Sequence, residues 1–89
     1  MPITVRVLAA RHPWPASVRD ISRKGIGLVT GRQFSAGTLL TVKLYHDEAT
    51  VLLTTQVRVV SARADAAGWV VGCQFLQLLN ESDLERLTQ

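Results

Sequence analysis

Apolar and polar residues alternate in six short segments of the chain, separated by stretches rich in glycine, proline or polar residues. Alternation with a period of two places the apolar side chains of a segment on one face of a β-strand. Short strands joined by turns favour an antiparallel sheet closed into a barrel or a sandwich, and closure also removes exposed strand edges. The predicted strands are residues 3–9, 16–21, 26–30, 38–45, 51–59 and 69–76.

The connecting segments carry residues that turn or interrupt a chain. Residues 11–15 contain two prolines, which predict a loop rather than a paired strand. Gly37 is placed to reverse the chain before the fourth strand. Residues 46–49 and 64–68 predict two further turns.

The end of the chain predicts a short helix instead of a strand. Asn80 is a favourable N-cap, and Asp83, three residues later, resembles the second half of a capping box. Leu84 and Leu87 lie three residues apart, so we expect them to pack this helix against the sheet.

Size and composition predict one globular domain over residues 1–89. Hydrophobic residues make up 47% of the sequence, which argues for a packed core and against disorder. No apolar run approaches the roughly 20 residues that span a bilayer, and the N-terminal residues do not resemble a secretory signal. We therefore expect a cytoplasmic protein without membrane insertion.

The chemistry-bearing residues do not predict an enzyme. Cys73 is the only cysteine and lies among apolar residues, so we predict a buried structural thiol. His12 and His46 lie far apart, and no set of residues has metal-ligand spacing. We predict no metal, no cofactor and no catalysis, because no nucleophile has a neighbouring base.

Positive charge is concentrated in the N-terminal third. The chain has ten Lys and Arg against seven Asp and Glu, a net charge of +3. Within residues 1–32, six cations face a single acid, Asp20. This asymmetry favours an anionic partner near the N-terminal loops. A nucleic acid would need a broader basic face with interleaved aromatic residues, so we expect no such partner.

The segment between the second and third predicted strands combines an acceptor, a hydroxyl, two cations and a glycine. Asp20 and Ser22 alternate and therefore point to the same side. Gly25 allows the backbone to approach a ligand or to take a positive φ. With Arg19 and Arg23, the loop suits a ligand that has a hydrogen-bonding base edge and a phosphate. The alternative is a structural turn whose polar side chains bond their own backbone.

Taken in order, these features resemble the PilZ domain family. The D-x-S-x-x-G motif of Asp20, Ser22 and Gly25 runs directly into an apolar strand. A turn and strand follow over residues 34–40, and the strand at 68–75 reads GWVVGCQF before the acidic, leucine-bearing helix. The resemblance covers nearly the whole chain. It implies an all-β fold, a six-stranded antiparallel β-barrel with a short C-terminal α-helix.

The resemblance also implies binding of cyclic di-GMP, a bacterial second messenger with two guanines and two phosphates. In the family, the D-x-S-x-x-G loop contacts a guanine and the phosphate region, which maps here onto Asp20, Ser22 and Gly25. A second family motif, R-x-x-x-R, lies just before the first strand, and its arginines stack on and pair with the guanines. We predict that the chain lacks this motif, because Arg6 and Arg11 are five residues apart and Arg6 lies within the first strand.

We predict that other cations partly replace the missing arginines. Arg19 and Arg23 border the loop, and Arg11 lies in the preceding connection. The predicted ligand site consists of Asp20, Ser22, Gly25, Arg19, Arg23 and Arg11, and its affinity is expected to be weakened by loss of the arginine motif.

Two other functions stay open on the sequence. The first is a degenerate PilZ domain that binds no nucleotide and acts as a protein–protein interaction module. Trp14 is its candidate anchor, because aromatic residues dominate binding hot spots, unless this side chain caps an open end of the barrel. The second is a small nucleic-acid-binding barrel, which the few aromatic residues disfavour. We favour a bacterial signalling or adaptor module with a protein partner.

Overall fold

In the residues that the structure describes, six β-strands and one helix follow one another. They are β1 (Thr4–Ala9), β2 (His12–Ile21), β3 (Gly25–Thr30), β4 (Leu39–Asp47), β5 (Thr50–Asp65), β6 (Gly68–Phe75) and α1 (Glu81–Thr88). The computed structural model describes residues 4–9, 12–47, 50–66 and 68–88. The predictions for Ile3, Arg11, residues 48–49 and Ala67 lie outside the described residues.

The strands pair antiparallel and close into a barrel in the order β1-β2-β3-β6-β5-β4. Pairing of β1 with β4, with Val7 opposite Val42, closes the sheet on itself. The predicted six-stranded barrel with a short C-terminal helix is confirmed, and the sandwich alternative is excluded. Because β6 lies between β3 and β5, the strands β2, β3, β6 and β5 are consecutive neighbours on one side of the barrel.

The interior is filled by the apolar positions of the alternating segments. On β1, Val5 and Val7 are buried, whereas Thr4 and Arg6 are exposed. Removing this apolar surface from water is the main force that holds the barrel closed. The buried strand residues are Val5, Val7, Ile26, Leu28, Leu40, Val42, Leu44, Val57, Val59, Val71, Cys73 and Phe75.

The prediction of a proline-interrupted loop before the second strand is wrong. Strand β2 begins at His12 and includes both prolines, with Pro13 opposite Leu8 and Pro15 opposite Arg6. Its pairing with β3 begins only at Ala16. The first four residues of β2 therefore pair on one side only, and a proline without an N–H is tolerated where no partner strand needs the donor.

Helix α1 starts where the sequence predicts. The Asp83 backbone N–H donates to Asn80 Oδ1 over 2.7 Å, which confirms Asn80 as the N-cap. The Asp83 carboxylate accepts from Arg86 at 2.6 Å, so it pairs within the helix instead of completing a capping box. Leu87 is buried in the core and Leu84 is half-buried. None of the helices in the described ranges has the length and apolar character to cross a bilayer.

Candidate functional site

Residues 20–25, which span the end of β2, the connection at 22–24 and the first residue of β3, are called the motif loop. This segment is held by its own hydrogen bonds. The Ser22 backbone N–H donates to the Gly25 carbonyl over 2.9 Å. The Ser22 hydroxyl oxygen accepts from the backbone N–H groups of Lys24 and Gly25, each over 3.3 Å. Ser22 is therefore a turn residue, as the structural alternative predicts, and its own O–H proton is not used by these two bonds.

Gly25 is required by the sheet rather than by a special backbone conformation. It is the first residue of β3 and lies opposite Gln74 of β6. A Cβ atom at this position would overlap the Cys73 carbonyl. Of the two alternatives predicted for Gly25, a positive φ is not adopted: of the glycines in the described ranges, only Gly37 and Gly68 have one. Gly37, at +91°, makes the chain reversal predicted for it.

A groove of about 470 Å³ lies beside this loop on the outside of the barrel. It crosses β2, β3, β6 and β5, and its size is within the usual range for a small-molecule site. One side is formed by the motif loop and the end of β2, and the opposite side by Ser61 and Arg63 of β5, here called the far wall. The polar side chains that line it include Arg19, Asp20, Ser22, Lys24, Ser61 and Arg63.

A single row of paired residues forms the bottom of the groove. Asp20 lies opposite Gly27, Gly27 opposite Gly72, and Gly72 opposite Ser61. Directly paired residues of antiparallel strands point to the same face. Because the neighbours of Gly27, Ile26 and Leu28, are buried in the core, this row faces outward.

The two glycines of this row, called the glycine floor, leave room for the side chains at its ends. A Cβ atom on Gly27 would come within 2.6 Å of Asp20 Oδ1, and one on Gly72 within 2.7 Å of Ser61 Oγ. The two polar side chains therefore lie over bare backbone. A planar ligand group can approach this backbone closely.

A β-bulge stands at each end of the same row. The pairing of β2 with β3 shifts between Val18 and Asp20, which makes Arg19 the extra residue. The pairing of β5 with β6 shifts between Val59 and Ser61, which makes Val60 the extra residue. Bulges re-aim side chains and are common at barrel rims and next to functional sites.

The charges of the groove suit an anion that also carries hydrogen-bond donors. Three cations, Arg19, Lys24 and Arg63, line it together with one carboxylate, Asp20. Within the described ranges, none of these four side chains makes an ion pair or donates or accepts a side-chain hydrogen bond. The groove therefore presents a net positive charge and one unpartnered acceptor.

Arg23 does not line the groove. Its Nε–H donates to the Leu79 carbonyl over 3.0 Å, and the Leu79 N–H donates to the Arg23 carbonyl over 3.0 Å. The prediction that the chain lacks R-x-x-x-R is wrong, since Arg19 and Arg23 have this spacing. Arg19 lines the groove, however, while Arg23 bonds the segment before α1. They therefore do not form one arginine pair on the ligand side. Arg11, the third predicted substitute, lies outside the described residues.

Trp14 belongs to a different region of the barrel. It packs half-buried against the core, with the Arg32 guanidinium 4.7 Å from its ring and the His12 ring 4.4 Å away. Arg32 also lies 5.2 Å from the Phe34 ring. Trp14 therefore covers part of the core. Its role as an anchor for a protein partner stays a prediction.

Cys73 is buried and free of disulfide bonds, as predicted. Burial in the apolar core raises the pKa of its thiol from 9.0 to about 11, so it stays protonated at neutral pH. A protonated, buried thiol is a poor nucleophile. Among the residues that the structure describes, no three His, Cys, Asp or Glu side chains gather in a way that could hold a metal ion.

The far wall and the glycine floor were missed by the sequence reasoning. The prediction ended the fifth strand at Val59, whereas β5 continues to Asp65. The bulge at Val60 shifts the alternation by one residue, after which Ser61 and Arg63 occupy outward positions. A restarted alternation after Val60 is the signal that could have found them.

Comparisons with known proteins agree with this architecture. The PilZ domain family matches residues 1–89 of the chain. Among solved structures, K. pneumonia MrkH in its apo state superposes with a TM-score of 0.69 at 20% sequence identity. The match covers 98% of this chain and 43% of MrkH, so the chain spans less than half the length of that protein. A search of curated proteins finds no match.

Proposed function

The chain belongs to the PilZ domain family, a family of binding rather than catalytic domains, and we propose that it binds cyclic di-GMP in the groove beside the motif loop. One observation carries the proposal. Within the described residues, the Asp20 carboxylate has no partner, and it lies over bare backbone at the end of a groove lined by three cations. In this proposal, the domain serves as a signalling or adaptor module in the bacterial cytoplasm.

Each groove residue has a role that its chemistry supports. Asp20 accepts hydrogen bonds from the N–H groups of a guanine edge, and an ionised acceptor strengthens them. Ser22 donates its remaining O–H proton to a phosphate oxygen while it holds the turn. Arg19 and Lys24 neutralise phosphate charge. Gly25 contributes indirectly, by fixing the motif loop against β6.

The proposed affinity is lower than that of a PilZ domain with both motifs. Within the described ranges, no arginine pair borders the ligand side of the motif loop, because Arg23 bonds Leu79. Each well-placed bidentate arginine–guanine contact contributes about 1–3 kcal/mol. Lacking one such contact raises the Kd by a factor of about 5 to 160, and lacking both raises it by about 30 to more than 10⁴.

Isothermal titration with cyclic di-GMP tests the proposal. Wild type should give saturable heat, and Asp20→Asn, which keeps the size of the side chain but removes its charge, should raise the Kd at least about tenfold. Asp65→Asn is the matched control, since Asp65 lies at the end of β5 and does not line the groove. No heat from wild type at ligand concentrations up to the millimolar range would refute the proposal.

The second candidate is a protein-interaction module that binds no nucleotide. Leu76 and Leu78 favour it, because they are 44% and 62% exposed directly after β6. Exposed leucines in one segment are more typical of a protein–protein contact surface than of a surface that faces only solvent. Under this alternative, wild type gives no heat with cyclic di-GMP, and Leu76→Ser with Leu78→Ser abolishes capture of a protein partner without changing the unfolding midpoint.

A further inference from the structure

We propose that Arg63 of the far wall is the specificity-determining contact for the second guanine of the ligand. This inference rests on the proposed function and assigns a role to a residue outside both family motifs. In it, Asp20 binds one guanine at the β2 end of the groove, and the Arg63 guanidinium binds the other at the β5 end. The glycine floor lies between them.

The position of Arg63 supports this role. It follows Ser61 by two residues on β5, so both side chains point outward into the groove. Its backbone lies opposite Val70 of β6, next to the row that carries the glycine floor. Three strand spacings of about 4.8 Å separate β2 from β5, which places the two ends of the groove about 14 Å apart along the sheet. That distance suits two bases joined through phosphates better than a single base.

The two ends of the groove have opposite hydrogen-bonding character. The Asp20 carboxylate only accepts, whereas the Arg63 guanidinium only donates. Guanine presents N–H donors on one edge and the O6 and N7 acceptors on another, and arginine pairs with O6 and N7 in a bidentate arrangement. A ligand with two guanines can therefore satisfy both ends at once.

Apart from Arg63 and the two arginines at the motif loop, the described arginines have other contacts or do not line the groove. Arg6 lies 5.7 Å from the Tyr45 ring, and Arg32 lies against Trp14. Arg86 pairs with Asp83. Arg58, on the same strand as Arg63, does not line the groove. Among the described arginines, Arg63 is thus the one that lines the groove opposite Asp20.

Titration of arginine variants of β5 with cyclic di-GMP tests the inference. Arg63→Ala should raise the Kd roughly 10- to 100-fold, as expected for loss of a bidentate base contact. Arg63→Lys keeps the charge but not the planar fork, so it should stay at least several-fold weaker than wild type. Arg58→Ala is the matched control and should change the Kd less than about twofold. All three substitutions replace exposed side chains, and unchanged urea midpoints would confirm intact folding.

A parallel titration with cyclic di-AMP separates base recognition from phosphate binding, because adenine has an amino donor where guanine has O6. Wild type should prefer cyclic di-GMP, and Arg63→Ala should lose much of that preference. If Arg63→Ala weakens both ligands equally, Arg63 contacts phosphate and the inference is overturned. If wild type binds and Asp20→Asn is defective while Arg63→Ala matches Arg58→Ala, the inference fails and the proposed function stands. No binding by wild type would remove both.

Discussion

The motif loop and the far wall face each other across one groove, yet the fold uses their polar groups very differently. In the motif loop, Ser22 accepts two backbone hydrogen bonds and Arg23 bonds Leu79. At Gly25, the Cys73 carbonyl leaves no room for a Cβ atom. On the far wall, within the described residues, the side chains of Ser61 and Arg63 make no hydrogen bond or ion pair.

The difference shows that most residues of a recognisable binding motif can serve to stabilise the fold. Of the D-x-S-x-x-G residues, Asp20 alone has a side chain that the barrel leaves unpartnered in the described ranges. Ser22 and Gly25 place that carboxylate by fixing the loop. The far wall carries no motif, and its chemistry becomes visible only when β5 is laid beside β6. Substitutions on the two sides should therefore separate stability from binding.

Replacing Gly25 and Gly72, two of the three glycines that line the groove, should give the largest contrast. Gly25→Ala places a Cβ against a backbone carbonyl that cannot rotate away, so we expect a loss of about 3 kcal/mol in the free energy of unfolding. Gly72→Ala meets only the Ser61 hydroxyl, which can change rotamer, and should cost less than about 1 kcal/mol. Equilibrium urea unfolding measures both. Equal losses of unfolding free energy would contradict the distinction between Gly25, where a fixed carbonyl excludes a side chain, and Gly72, where a movable hydroxyl does not.

Gly31→Ala provides the control for this comparison. A Cβ atom on Gly31 meets nothing within 4 Å, so the change should stay within about 0.5 kcal/mol. A loss at Gly31 as large as that at Gly25 would show that backbone freedom, not the Cys73 carbonyl, determines the cost.

The free energy of unfolding should decrease at alkaline pH because of Cys73, which lies in the core beneath the groove. Burial raises the pKa of the folded thiol to about 11 from 9.0, so between these values the folded protein keeps a proton that the unfolded chain releases. The stability from this group is complete below pH 9.0 and is lost as the pH rises toward 11. We expect a decrease of about 2 kcal/mol.

Urea unfolding at about pH 8 and about pH 10.5 measures this decrease. Cys73→Val keeps an apolar side chain of similar size and removes the titrating group, so its stability should fall less over the same interval. Equal decreases in both proteins would mean that water reaches the thiol from the groove. That result would contradict the burial of Cys73 and the raised pKa of its thiol.

The sequence predicts the fold better than the site because burial repeats along the chain while the groove does not. Residues such as Val57, Val59, Val71 and Phe75 recur at alternate positions, and all lie in the core. Both bulges break this period, and the prediction accordingly ended its fifth strand at Val59. The alternation therefore predicts the barrel, but it does not predict the row of outward-facing residues that lines the groove.

Pairing across strands explains the remaining differences. Gly27 and Gly72 are 45 positions apart in the sequence, and only the placement of β6 beside β3 brings them together. The prolines of β2 likewise suggested a loop, because the sequence does not show that residues 12–15 lack a second partner strand. The Arg23–Leu79 contact also depends on packing between distant segments.

Arginine substitutions should show a smaller contrast between the two sides. Arg23→Ala removes a partly buried hydrogen bond and leaves the Leu79 carbonyl without its side-chain donor, so we expect a loss of about 1 kcal/mol. Arg63→Ala should leave the free energy of unfolding within about 0.5 kcal/mol of wild type. Urea unfolding of both variants tests this, and a larger loss for Arg63→Ala would show that the far wall is part of the scaffold.

The serines should give the smallest contrast and the most local one. Ser22→Ala removes the acceptor of two long, exposed hydrogen bonds, so we expect a loss of only about 0.5 kcal/mol, with faster hydrogen exchange at the Lys24 and Gly25 amides. Ser22→Thr keeps the acceptor and should protect both amides as wild type does. Ser61→Ala removes a hydroxyl without a partner in the described residues and should change neither stability nor exchange. Unchanged amide exchange in Ser22→Ala would mean that backbone bonds alone hold the loop, and that the family hydroxyl serves the ligand and not the turn.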